Sequence, residues 1–345
     1  MRSSIRAPDR RFLFSPGIFM LQDTQISGHR LLQNVVDAVR LRVVGQDETV
    51  HALLVGLLTG GHLLLEGLPG LAKTLLVRSL ADALHTSFGR IQLTPDLLPG
   101  DIVGTPVYHH ESGEFRVSKG PIFANVVLAD EINRAPPKVQ SALLEAMEEG
   151  QVTIDGQSYP LPAPFLVLAT QNPIELQGTY PLAEAQLDRF MMKVKIGYPD
   201  RAQEREIIRR VALKPDAEHA PIETPTTVEE IFTARTELQE VRVDESIEDY
   251  VVNLVFATRE PESAGLSDLP ELMEFGISPR ATIFLTRAAR AHAYLLGRDY
   301  VLPDDVKVMA PPVLRHRIRT TYEADARGID GDELVQGLLA AVPAP

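Results

Sequence analysis

The chain contains no cysteine, which excludes disulfides, thiolate zinc sites and cysteine nucleophiles. No apolar run approaches the ~18 to 20 residues needed to cross a bilayer, so no membrane span is expected. Basic side chains are scarce, 34 against 47 acidic ones, for a formal charge of -13. A general nucleic-acid binder would show a net basic domain or stripe, so no nucleic-acid partner is expected. The longest basic run, RHRIR at 315–319, reads as a solvated helix face. The histidines show no HExxH or other ligand spacing, and His109-His110 reads as decoration on a hairpin. The first 20 residues hold four arginines and a short FLF patch broken by Ser15 and Pro16, too little for a secretory leader. We read residues 1–22 as a flexible arm or start-site extension, and the location as cytoplasmic.

What is present is ordinary for a soluble chain of about two domains: 345 residues, 44% hydrophobic. Residues 28–60 read as two helices around VVGQDET, followed by a strand at 62–66 and a helix from about 73 to 84. VYHHESGEFRV looks like a hairpin around Ser112-Gly113, and QVTIDGQSYPL like another around Asp155-Gly156. KVQSALLEAMEEG is a helix started by Pro136-Pro137 and stopped by Gly150. NVVLADE, FLVLATQNP and FMMKVKIGYPD are buried strands. Strands alternating with helices predict a parallel α/β sheet. After Asp200 only helical signals remain, which places a boundary near Tyr198-Pro199: an α/β core over 23–198 and a helical domain over 199–345.

Behind the apolar run HLLLE stands GLPGLAKT, residues 67–74. It matches the phosphate-loop pattern G-x-x-x-x-G-K-[ST] except that Ala72 replaces the second glycine. A phosphate loop needs a strand to aim it, backbone N–H groups around the anion and a helix N-terminus facing it. Those parts follow in order here. Gly67, Leu68, Pro69, Gly70, Leu71, Ala72, Lys73, Thr74 and Leu75 are therefore the candidate phosphate-binding segment, with Lys73 as a point charge and Thr74 as a Mg²⁺ ligand. Alanine is harmless at 72 if its φ is negative, and a negative φ is expected. Further on, NVVLADEINRA pushes Asp130 and Glu131 to a strand end beside the loop, Asp130 to hold hydrated Mg²⁺ and Glu131 to polarise the attacking water.

GLPGLAKT, VVLADEINRA, LVLATQNP, AEAQLDRF and GISPRA, in that order over about residues 28–320, resemble the MoxR family of AAA+ ATPases, helix-2-insert branch. The resemblance implies a P-loop core with a five-stranded parallel sheet between helices, plus a C-terminal all-helical lid. It implies ATP/ADP and Mg²⁺ as ligands, with Asn172 as the polar residue near the γ-phosphate. Arg189 would be an arginine finger supplied to a neighbouring subunit, and Arg280 a lid arginine. Val44, Gly45 and Gln46 would pack the adenine, and the segments 94–122 and 151–162 would be the helix-2 insert and the hairpin before Asn172. It also implies a ring, expected to be a hexamer, acting on a protein client, with a separate von Willebrand factor A (VWA) domain partner.

Each assignment has a plainer alternative in the residues themselves. Asn172 before Pro173 can be a turn former. Arg189 can pair locally with Asp188 or Glu184. Arg134 is a second interface candidate. Arg280 begins a helix, where a cation opposes the dipole unless an anion lies nearby. Both hairpins are expected to be exposed contact loops with polar tips (Glu111, Ser112, Asp155, Gly156). Other functions consistent with the pattern are a magnesium-chelatase-like motor subunit, a nucleic-acid translocase and a non-hydrolysing nucleotide-gated scaffold. The translocase would need basic hairpins, yet Arg116 and Lys119 face Glu111 and Glu114.

Overall fold

The computed structural model describes residues 27–111, 113–174, 178–213, 226–266 and 268–345. The arm at 1–22 and Ser112 lie outside the described residues. Helix α1 (Ser27–Arg40) and helix α2 (Asp47–Thr59) come first, and α2 ends where Gly60 takes a left-handed conformation. Strand β1 (Leu63–Gly67) feeds the loop and α3 (Lys73–Ala83), then β2 (Phe88–Gln92) and the short α4 (Pro99–Val103). A hairpin β3 (Gly104–His109) and β4 (Glu114–Lys119) precedes β5 (Val126–Asp130) and α5 (Pro137–Glu149). The second hairpin, β6 (Gln151–Ile154) and β7 (Gln157–Pro160), leads to β8 (Leu166–Gln171), α6 (Glu184–Leu187) and β9 (Met192–Ile196).

Five strands form one parallel sheet in the order β2-β5-β8-β1-β9. Successive residues of β1 point to opposite faces, so Leu63 and Leu65 join one core cluster and Leu64 the other. The first cluster packs against α1, α2 and α3, and the second against α5. Because all five strands run the same way, β1, β5 and β8 deliver their C-terminal residues to one edge of the sheet. Gly67, Asp130 and Gln171 end there together.

The two hairpins differ. On β3 and β4 the flanks are solvent-facing, and Tyr108 and Phe115 pair at 5.2 Å on the exposed surface. The second hairpin keeps the expected exposed polar tip but packs one face into the core. Its alternation, QVTI, buries Val152 and Ile154 in the core, while Gln151, Thr153, the Asp155–Gly156 turn, Gln157 and Ser158 stay exposed. Both turn residues have positive φ, 51° and 76°, as a tight two-residue hairpin requires.

After Ile196 no described residue joins the sheet. Helices α7 (Arg201–Ile207), α8 (Val228–Leu238), α9 (Glu245–Phe256), α10 (Leu269–Leu272), α11 (Pro279–Leu295), α12 (Pro303–Leu314), α13 (Tyr322–Arg327) and α14 (Gly331–Ala341) follow. No described helix is long and apolar enough to cross a membrane. The RHRIR run is not a solvated face. Arg317 is buried, its guanidinium 5.2 Å from the ring centre of Phe284 on α11 and its N–H groups on backbone carbonyls of the core. Those carbonyls need donors once covered by the lid, a demand that charge patterning along the chain does not reveal.

Lid and core also meet at a pair of imidazoles, His51 Nε2 on α2 and His292 Nδ1 on α11, 2.7 Å apart. Burial first, then His292, pushes the pKa of His51 down to about 3. Burial also holds His62 at about 4, despite its hydrogen bond with Met147 O, and lowers His292. These groups stay neutral in the native state, whereas unfolded imidazoles take up protons below about 6.5. The unfolded chain therefore binds more protons in that range, and stability is lost as pH falls from about 6.5 toward the folded values. Each such histidine costs up to about 1.4 kcal/mol per pH unit there. Thermal unfolding at pH 7.5, 6.5 and 5.5 should show a slight fall in midpoint between the first two and a larger one at the third. A flat profile would mean these sites accept protons without opening.

Candidate active site

The loop after β1 lines a cavity of ≈ 700 Å³ together with Asp130, Glu131 and Asn172. Helix α3 begins at Lys73, so the positive end of the helix faces the same space. Burial lowers the pKa of Lys73, while Asp130 and Glu131 act in the opposite direction. Its Nζ donates to Gly67 O at 2.6 Å, which folds the side chain back over its own loop. Thr74 lines the cavity one residue further into the helix.

Ala72 contradicts the expected negative φ. It sits at φ 53° and ψ 28°, in the left-handed region, directly before Lys73. A tight turn from Gly70, itself at φ 83°, into the first helical residue demands this conformation, which is why a glycine is common there. The alanine methyl is exposed, so it stores backbone strain without blocking the loop. Ala72→Gly should therefore raise stability by about 1 kcal/mol and leave nucleotide affinity unchanged. Chemical denaturation and a nucleotide titration check both; a destabilised variant would show that the alanine methyl makes a contact that matters.

The carboxylates are held by a residue that sequence reasoning missed. Thr170, buried at the end of β8, donates its hydroxyl to Asp130 Oδ1 at 2.7 Å and accepts the Glu131 N–H at 2.8 Å. Glu131 is itself left-handed, φ 61°, and the Thr170 bond is one of the contacts that fix it. From β2, Arg90 Nη2 donates to Asp130 Oδ2 at 2.7 Å and Gln92 Nε2 to Glu131 Oε2 at 3.2 Å. Arg134 lies 3.3 Å from the same Glu131 oxygen. Thr170 was findable: it stands two residues before Asn172 in a strand, and the strand period of two puts both on one side. Arg90 and Gln92 were not, because FGRIQ buries only Ile91 fully and shows no strand alternation.

Asn172 makes a turn contact and also reaches the cavity. Its Oδ1 accepts the Ile174 N–H at 3.3 Å, a turn contact, and the residue also lines the cavity. With the oxygen engaged, the amide Nδ2 is the donor it can offer. Val44, Gly45 and Gln46 lie in the α1–α2 connection but do not line the cavity; Gly45 packs on the side chain of Gln203. Arg42, Arg78 and Asp82 line the cavity too, with Arg42 and Asp82 in a close ion pair.

Arg189 and Arg280 are not brought to this cavity. Arg189 Nη1 donates to Leu144 O at 3.1 Å and lies 2.8 Å from Glu148 Oε2, and Arg280 Nη2 donates to Glu148 Oε1 at 3.0 Å. Arg189 thus pairs with α5, not with the sequence neighbours Asp188 or Glu184. Arg280 does oppose the positive end of α11, and Glu148 is an anion that offsets this.

No cluster of three or more acidic, histidine or cysteine side chains able to hold a metal alone occurs among the described residues. Thr74 and Asp130 on one cavity wall fit Mg²⁺ nonetheless, since that ion takes one or two protein oxygens and completes its shell with water and phosphate. The set as a whole can bind a polyphosphate and present a fixed carboxylate to water.

Known proteins are similar to this chain in sequence and fold. The profile described as "ATPase family associated with various cellular activities (AAA)" matches residues 62–192, and that of the AAA lid domain matches 270–338. The chain is 48% identical to "Chaperone MoxR1" of Mycobacterium tuberculosis over 91% of its length and 82% of the relative's. It is 33% identical to "Protein MoxR" of Methylorubrum extorquens over 96% and 98%. A crystal structure of a candidate ATPase from Cytophaga hutchinsonii superposes with a TM-score of 0.86 at 48% identity, over 93% of this chain and 97% of that one. The chain belongs to the MoxR family of AAA+ ATPases.

Proposed function

We propose that the protein hydrolyses ATP with Mg²⁺ in a ring, expected to be hexameric, and uses the cycle to remodel a protein client. The observation that carries this is the separation of two sets of groups. Lys73, Thr74, Asp130, Glu131 and Asn172 converge on one cavity, whereas Arg189 and Arg280 meet on Glu148 away from it. In this reading the loop N–H groups, the α3 N-terminus and Lys73 hold the phosphates. Thr74 and Asp130 would hold Mg²⁺, whose chemistry is to neutralise charge on the phosphate oxygens. Glu131 orients water and accepts its proton, and Asn172 Nδ2 donates to the same region. Arg189, with Arg280 beside it, serves the site of the adjacent subunit.

The exposed Tyr108–Phe115 pair favours a protein client over nucleic acid, as does the charge of -13. A VWA-domain partner on a separate chain fits the family, and a chaperone role fits the name of the M. tuberculosis relative. Steady-state ATP turnover by the full chain tests the core of the reading. Turnover should require Mg²⁺, rise with protein concentration, and vanish together with nucleotide affinity in Lys73→Ala, which removes a charge-assisted phosphate contact. Assembled rings that bind ATP without hydrolysing it would make the protein a nucleotide-gated scaffold instead.

A further inference from the structure

The backbone on both sides of Arg189 is gripped by the lid. Arg317 Nε donates to Asp188 Oδ1 at 2.8 Å, and its Nη2 to Asp188 O at 2.9 Å and Phe190 O at 2.7 Å. Its Nη1 reaches Met191 O at 3.3 Å, and His316 Nε2 lies 2.9 Å from Phe190 O. Ser278, at the N-cap of α11, makes no capping bond and donates its hydroxyl to Asp188 Oδ2 at 2.9 Å. Two residues on, Arg280 shares Glu148 with Arg189. The Arg317 side chain is 2% exposed, and burial draws its pKa down to about 10 against the pull of Asp188. A guanidinium is expensive to bury, and an apolar residue could anchor a lid as firmly. What an apolar residue cannot do is fix the direction of a backbone segment through several carbonyls at once.

We infer that Arg317 is a positioning residue for Arg189: it locks residues 188–191 to the lid, so that the lid of one subunit sets the aim of the arginine offered to the next. The inference rests on the reading of Arg189 as a finger acting in trans. It extends that reading by naming what the finger is coupled to. A lid held in one position aims Arg189 in one direction; a lid free of Arg317 leaves the loop to wander, and misplacement by about 1 Å is enough to cost ~10²-fold in rate.

The test uses full-length Arg317→Lys, which keeps a charge but loses the fork, and Ser278→Ala as the milder variant. Unfolding midpoint, nucleotide affinity and turnover are measured for each, then for mixed rings. Arg317→Lys should lower turnover by about 10- to 10²-fold while nucleotide affinity stays within about twofold of the parent. Mixed with Glu131→Gln, it should regain activity, because about a quarter of randomly formed interfaces then join an intact carboxylate to a well-aimed finger. Mixed with Arg189→Ala it should regain nothing, since every finger in the ring is defective. The opposite pattern, recovery with Arg189→Ala only, would place the lesion at the subunit's own nucleotide site and overturn the inference. If Arg317→Lys fails to fold, Ser278→Ala must show the same grouping with a smaller loss; a parental rate there also overturns it. Failure of the separate Arg189→Ala plus Glu131→Gln mixture to recover would instead reject the finger itself.

Discussion

Arg189→Ala should leave ATP affinity nearly unchanged and lower turnover by a factor of order 10² or more, up to the 10³ to 10⁵ that a positioned arginine can contribute. Affinity is spared because the side chain stands on Glu148, outside the cavity that its own Lys73 and Asp130 line. Rate suffers because a cation placed on the γ-phosphate strengthens its contact only as charge develops. The Arg189–Glu148 pair is about a third to a half exposed, 36% and 46%, so solvent screens it and its loss on docking costs roughly 1 kcal/mol or less. Arg189 is thus held in place but not trapped. Specific activity of the parent should rise with protein concentration as association completes the site, and that of Arg189→Ala should not. A parent that hydrolyses at its full rate when dilute and monomeric would remove Arg189 from the mechanism. Arg134 would not replace it easily, because it already sits beside Glu131 of its own chain.

The legible parts of the molecule were those where one residue type answers one local demand. GLPGLAKT after an apolar strand and before a helix showed the phosphate loop, and VVLAD showed a strand that ends in acid. Gly150 after AMEE and Asp155-Gly156 between QVTI and QSYP marked a helix stop and a hairpin turn by backbone conformation alone. The failures share a different cause. Residue preference favours a negative φ at Ala72, but the turn into α3 overrides preference when a loop is built to present N–H groups. Charge patterning places RHRIR on the surface, yet the lid-covered carbonyls of Asp188, Phe190 and Met191 require donors that only tertiary contact reveals. Arg280 meets Glu148, a partner 132 positions away in sequence, a contact that no local pattern reveals. Thr170 escaped notice because a threonine in a buried strand looks like packing until its hydroxyl is seen between two acids.

Glu131→Gln carries the second large effect. The backbone N–H of residue 131 stays on Thr170, and a glutamine oxygen can still accept from Gln92, so the loop geometry should survive the change. What is lost is the capacity to accept a proton, which an amide cannot do at neutral pH. Turnover should fall by about 10² to 10⁴, the usual contribution of a positioned general base. Binding should be retained or tightened, because removing a negative charge from a wall that faces a polyphosphate weakens repulsion. Nucleotide titration and single-turnover hydrolysis on the same preparation separate the two quantities. Asp130 provides the contrast: Asp130→Asn should weaken Mg²⁺-dependent binding as well as rate, since it would take away a ligand and break the bonds from Thr170 and Arg90 unequally. A Glu131→Gln protein that turns over ATP at the parent rate would mean that water is activated elsewhere, and that Thr170 and Gln92 orient the carboxylate for some purpose other than hydrolysis.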